Sequence, residues 1–165
     1  FNLLGQEGRG FQQLMRELAQ ERLVQGIRAV ASAEAAIEWT LDYAAQRRMF
    51  GQTLADFQNT RFKLAEMRAE TQAQRVFLDR CIELHLARQL SATDAAMLKL
   101  TTTELQGRVM DACLQLFGGW GYMWEFPIAR AFVDARLGRI GGGAVEVMKE
   151  IIAREMLPAN RRPAR

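Results

Sequence analysis

Apolar residues recur at alternating three- and four-residue spacing along three long stretches of this chain, and no stretch alternates with the period of two that a half-buried strand needs. The first seam runs Leu23, Ile27, Val30, Glu34, Ile37, Leu41 and Ala44. The second runs Leu64, Met67, Thr71, Gln74, Leu78, Cys81 and His85, and the third Leu98, Thr102, Leu105, Val109, Ala112 and Leu116. Each seam gives a long helix one apolar face, which must be buried against another helix. Gly51 breaks the pattern between the first two stretches, and Ser91 with Asp94 forms a capping start for the third. Gly118 and Gly119 stop the third, since glycine reaches the left-handed conformations that close helices. Pro127 opens a fourth segment over Ile128–Leu137, the glycines 141–143 interrupt, and a last amphipathic segment runs from Val145 to Leu157 before Pro158. The fold class is therefore all-α, an antiparallel up-down helical bundle without strands.

At 165 residues the chain is long enough for one domain with a sizeable core. Its apolar and charged fractions, 49% and 25%, are those of an ordinary globular protein and exclude a long disordered polymer. Cys81 and Cys113 are too few and too far apart for a disulfide framework or a zinc site, so both read as small core residues in a reducing compartment. No metal site is expected. A di-iron bundle needs two Glu-x-x-His pairs, whereas the single histidine, His85, has Ile82 three residues before it. His85 reads as a packed or capping residue near a helix end. No apolar run is long enough for a membrane span. The start, with neither an initiator Met nor a leader, reads as part of something longer. The domain is taken as 1–157, and 158–165, with Arg161, Arg162 and Arg165, as a solvated basic tail without a nucleic-acid partner.

Some residues ask for more than packing. Glu21, in Ala19-Gln20-Glu21-Arg22-Leu23, reads from spacing alone as a glutamate favoured by the dipole early in a helix. In Gly118-Gly119-Trp120-Gly121-Tyr122-Met123-Trp124 the glycines suggest either a tight helix end packed by aromatics or backbone passing close to something flat. The 141–143 glycines, just before a helix, could aim amides at a polar ligand, although they lack the Lys-Ser/Thr ending of a phosphate loop.

Taken in order, these motifs resemble the C-terminal domain of the acyl-CoA dehydrogenases, a family of FAD enzymes. The family's Arg-x-x-Phe-Gly element reads Arg47-Arg48-Met49-Phe50-Gly51, followed by Gln58. Its Gln-x-x-Gly-Gly-x-Gly-Tyr element reads Gln115-Leu116-Phe117-Gly118-Gly119-Trp120-Gly121-Tyr122, and Pro127 and Asp134-Ala135-Arg136 follow. The resemblance covers residues 5 to 157 and is strongest to long-chain members.

Most members carry the catalytic base in the closing loop, where this chain has Ile140-Gly141-Gly142-Gly143-Ala144, with Gly142 at the usual glutamate position. Long-chain and isovaleryl members instead place the base on the first helix in a Glu-Arg-Leu sequence, which Glu21-Arg22-Leu23 matches. The resemblance thus implies Glu21 as the base, with a pKa raised by dry surroundings and room left for it by Gly142. It further implies that Arg22 holds the acyl-CoA. Arg47, Phe50 and Gln58 would contact FAD bound mainly to a neighbouring subunit, and Gln115, Leu116, Phe117, Gly118 and Gly119 would make a backbone-rich FAD contact. Gly143-Ala144-Val145 lacks the family's hydroxyl or amide side chains, so FAD contact at Gly143 reduces to backbone and weaker flavin retention is expected.

The implied parent is a homo-oligomer, commonly a tetramer, that converts a medium-to-long acyl-CoA to its trans-2-enoyl-CoA and passes electrons to an electron-transfer flavoprotein. It would work in a bacterial cytoplasm or, in a eukaryote, the mitochondrial matrix. The chain alone, without the family's N-terminal helical and middle β domains, is expected to be inactive. A flavin oxidase on the same scaffold and a non-catalytic helical assembly module are the alternatives.

Overall fold

The computed structural model describes residues 2–157, so the basic tail lies outside the described residues. Three long helices dominate: α1 (Gly10–Gln46), α2 (Gln58–Leu86) and α3 (Ala92–Phe117). Two shorter ones follow, α4 (Pro127–Gly138) and α5 (Val145–Met156). α3 is the central element, packed against each of the other four helices. The boundaries follow local chemistry. Ser91 caps α3, its Oγ accepting from the Asp94 amide at 2.9 Å and donating to the Asp94 carboxylate at 2.6 Å. Gly118 closes α3 with φ +59, and Pro127 occupies the first turn of α4.

The expectation of no strand is corrected at one point. Between α1 and α2 lies a minimal antiparallel hairpin, β1 (Arg48–Met49) and β2 (Gln52–Thr53), with Met49 opposite Gln52. Its central residues, Phe50 and Gly51, have φ of +50 and +83, the two positive values a type I′ turn requires. Strands of two residues are too short to show alternation. The α2–α3 junction is also tighter than its composition suggests. Arg88 takes φ +58, its amide donates to the His85 carbonyl at 2.9 Å, and the Gln89 amide reaches back to the Leu84 carbonyl at 2.7 Å. This is a Schellman end with arginine where glycine usually stands.

The first seam is displaced from its expected line. Ile27 and Leu41 are 38% and 42% exposed, and the buried stripe of α1 comprises Leu23, Gly26, Ala29, Val30, Ala33, Ala36, Ile37, Thr40 and Ala44. Small residues win because α1 and α3 approach closely. A Cβ on Gly26 would stand 2.8 Å from both Leu98 Cγ and Leu98 Cδ2, and Leu98 is itself fully buried. Glu34, the polar break in that seam, faces α2, where its carboxylate takes both ends of the Arg75 guanidinium, one contact being Nε to Oε1 at 3.0 Å. The core divides into two clusters. The larger joins Ile37, Leu64, Met67, Val109, Met110, Phe117 and Ile128, and the smaller Leu23, Val30, Leu78, Cys81 and Leu98. Cys113 packs on Met67 in the first, so both cysteines are core residues, as expected.

Three buried hydroxyls are satisfied within their own helices, whereas that of Thr71 on α2 has no hydrogen-bond partner. Thr40, Thr102 and Thr103 donate to the carbonyls of Ala36, Leu98 and Lys99 at 2.7, 2.6 and 2.7 Å. Among the described residues no helix is long and apolar enough to cross a membrane, and no three His, Cys, Asp or Glu side chains gather as a metal site would need.

Candidate functional site

At the C-terminal end of α1 a cavity of about 710 Å³ opens between the hairpin and the end of α3. Its lining brings together Arg47, Gln115, Leu116, Phe117, Gly118 and Gly119, six of the expected cofactor residues. One wall is aromatic. Tyr43 stacks on Phe117 with ring centroids 4.2 Å apart and donates its hydroxyl hydrogen to the Phe117 carbonyl at 3.2 Å. Phe126 meets both rings edge-on, and Trp120 leans on Phe126.

The glycines here divide by cause. A Cβ on Gly121 would come within 2.5 Å of the Leu114 carbonyl oxygen, so that glycine serves internal packing. Gly118 and Gly119 have no atom within 4 Å of an added Cβ, so their bare backbone faces the open cavity. That leaves their backbone open to close approach. Phe50, 90% exposed at the hairpin tip, and Gln58, exposed at the start of α2, lie outside this lining.

The second cluster sits toward the other end of α1. Glu21 is the twelfth residue of the helix, beyond the first turn where the dipole acts, so the dipole reading of Glu21 is corrected. Its carboxylate instead faces the loop joining α4 to α5: a Cβ on Gly142 would lie 3.2 Å from Glu21 Oε1 and 3.8 Å from Gln25 Cγ. Gly142 and Gly143 take φ of +66 and +101. Gly141 N–H donates to the Leu137 carbonyl at 2.8 Å and Val145 N–H to that of Arg139 at 3.1 Å, while the amides of Gly142, Gly143 and Ala144 between them take no backbone acceptor.

Arg22 points inward, only 6% exposed, with a buried Nε that has no hydrogen-bond partner. Burial pulls its guanidinium below the usual arginine value, and Glu21 partly offsets this. Beside it Lys99 of α3 is fully buried, and its Nζ donates to the Gly143 carbonyl oxygen. Desolvation, then the Arg22 charge, lower the Lys99 ammonium, while Glu21 opposes them. Glu21 itself is exposed, so residues of this chain do not supply the dry surroundings expected for a base.

The expected residues thus fall into two groups, Arg47 with residues 115–119 at one end and Glu21, Arg22 and Gly143 at the other. Arg47 follows Glu21 by 26 residues, so the two stand roughly 39 Å apart along the helix. Sequence reasoning missed Lys99, Tyr43 and Met123. A lysine embedded in the apolar run Met97-Leu98-Lys99-Leu100 was the available signal for the first, and Tyr43, one turn before Arg47, for the second. Nothing local marks Met123.

The chain thus presents a helical bundle with a bare-glycine cavity at one end and, toward the other, Glu21 facing the glycine loop between α4 and α5. The sequence profile of the acyl-CoA dehydrogenase C-terminal domain matches residues 8–157, and the chain belongs to that family. It is 49% identical over 155 residues to the mitochondrial long-chain specific acyl-CoA dehydrogenase of Sus scrofa, covering 94% of this chain and 36% of that protein. An acyl-CoA dehydrogenase structure from Geobacillus kaustophilus superposes with a TM-score of 0.92 at 45% identity, covering 94% of this chain and 41% of that one. The butyryl-CoA dehydrogenase of Megasphaera elsdenii superposes at 0.91 with 34% identity, covering 95% and 41%. The chain therefore spans about two fifths of the length of the relatives it matches.

Proposed function

We propose that this chain is the C-terminal helical domain of a longer FAD-dependent acyl-CoA dehydrogenase that converts a medium-to-long acyl-CoA to the trans-2-enoyl-CoA, with Glu21 as the base. One observation carries the assignment: the two chain positions from which family members supply the base, the closing loop and the first helix, meet here, with Glu21 Oε1 filling space beside Gly142. A glutamate at 142 would compete for that space, and a glycine leaves it to Glu21.

In this reading FAD, when bound, supplies the acceptor for the hydride that leaves the β-carbon. Glu21 takes the α-proton, and the carbon–carbon double bond forms between the two. Arg22, with a buried donor still open, binds an oxygen of the acyl-CoA, where a charged N–H is worth more than a neutral one. Arg47 at the cavity rim meets a pyrophosphate, and the bare backbone of Gly118 and Gly119 admits the flat part of the cofactor. Because these two clusters lie at opposite ends of α1, each completes a different flavin site, which supports a homo-oligomeric parent and, by resemblance, a tetramer. The same resemblance supports an electron-transfer flavoprotein as acceptor, and the bacterial cytoplasm or mitochondrial matrix as compartment. The cover that dries Glu21 comes from the flavin, the acyl chain and the remaining domains.

The test uses the full-length polypeptide carrying this chain. A long-chain acyl-CoA is added without oxygen and the oxidised-flavin absorbance is followed in wild type and in Glu21→Gln. Bleaching in wild type that is lost in the variant at equal flavin content is the expected result. Equal bleaching in both places the base elsewhere. A flavin that no acyl-CoA bleaches favours the assembly module, and rapid reoxidation by oxygen favours an oxidase.

A further inference from the structure

Among the described residues Lys99 is the largest fully buried side chain, and neither the bundle core nor the proposed chemistry explains it. Burying an ammonium is costly unless it is well paired. Here its hydrogen-bond acceptor is a neutral carbonyl, that of Gly143, and the like charge of Arg22 lies close by, with the Glu21 carboxylate only opposing these effects from an exposed position. An apolar side chain would fill the same volume of α3 without that cost.

The acceptor suggests the use. Residues 141–143 are all glycine, and Gly142 and Gly143 occupy left-handed backbone that only glycine enters freely, so the loop has no side chains of its own to hold it. Its backbone bonds to Leu137 and Arg139 are local to the α4–α5 connection. The Lys99 bond crosses from the central helix, one residue beyond the glycine that meets Glu21.

We propose that Lys99 is a positioning residue: by holding the Gly143 carbonyl it fixes the height of the closing loop, so that Gly142 confines the Glu21 carboxylate to the place from which it reaches the α-carbon. This rests on the reading of Glu21 as the base. Lys99 touches neither substrate nor cofactor, and its effect passes through the loop.

The experiment compares Lys99→Met, which keeps the volume and removes the donor, with Lys99→Arg, which keeps a charged donor, in the full-length flavoprotein. With a long-chain acyl-CoA as the probe, Lys99→Met is expected to bleach the flavin about 10-fold more slowly at saturation, while half-saturation stays within about twofold, since a small misplacement of a reacting group acts on the chemical step. Flavin content and the thermal unfolding midpoint stay at or above wild type, and amide hydrogen exchange at residues 142–144 quickens. Lys99→Arg recovers part of the rate. A wild-type rate in Lys99→Met overturns the proposal, as does a loss that only follows lost flavin or a lowered midpoint. Glu21→Gln is run alongside. If it bleaches like wild type, the reading of Glu21 as base falls and takes the proposal with it. If it is inert while Lys99→Met is normal, only the Lys99 proposal fails.

Discussion

Replacing Gly142 by alanine probes the meeting of helix and loop directly. The added Cβ stands 3.2 Å from Glu21 Oε1, a few tenths of an ångström inside ordinary contact. Glu21 is exposed and yields more readily than the helix backbone, so its carboxylate is displaced by about that amount. If a misplacement of about 1 Å costs about 100-fold in rate, a shift of a few tenths costs roughly 3- to 10-fold. The backbone also pays, because φ +66 is unfavourable for an L-residue by about 1 to 2 kcal/mol. Gly143→Ala separates the two effects. It shares the backbone penalty, with φ +101, but its Cβ meets Met148 Cε at 3.0 Å and Val147 Cγ1 at 3.9 Å, not Glu21. The assay is the rate of anaerobic flavin bleaching by a long-chain acyl-CoA in the full-length protein, normalised to bound flavin, with denaturant unfolding of each variant beside it. Gly142→Ala is expected to lose more rate than Gly143→Ala at comparable destabilisation. Equal rate losses in the two variants would refute the reasoning, since strain in the loop would then suffice.

Arg88→Gly at the end of α2 should stabilise the fold by about 0.5 to 1 kcal/mol, the left-handed penalty on arginine less the extra chain entropy of glycine, read as a higher denaturant midpoint. Gly26→Ala should destabilise by about 1 to 3 kcal/mol, because the new methyl overlaps Leu98, which is buried and has nowhere to go. Burial holds the Cys113 thiol above its ordinary value of 9.0, only partly countered by Thr40. The folded state therefore keeps its proton while the unfolded state loses it, and stability falls as pH rises above 9.0. Cys113→Ala should flatten that fall in a pH series of unfolding free energies. The same burial leaves Cys81 and Cys113 unreactive toward iodoacetamide until the protein unfolds.

Helix ends were legible because their causes are local. The Ser91–Asp94 cap, the positive φ at Gly118 and Pro127 in the first turn of α4 each need only a few neighbouring residues to act. The hairpin at Arg48–Thr53 was missed because two-residue strands leave no period, although Phe50-Gly51 holds its turn. Ile27 and Leu41 sit on the expected seam yet outside the core. A three-four pattern locates an apolar face only to within a residue or so, and the close approach of α3 at Gly26 selected the small residues instead.

The sequence by itself determined the all-α class, the start and end of α3 and the start of α4, the family motifs from Arg47 to Gly143 and the candidacy of Glu21, since propensity, capping and motif spacing are all carried along the chain. The tertiary structure decided which of those residues share a place. It put the Glu21 carboxylate beside Gly142, parted Gly143 from the cavity that gathers Arg47 with residues 115–119, and buried Lys99 beneath the closing loop. Such meetings join residues far apart in sequence, and they depend on how three long helices lie against one another, which no local pattern records.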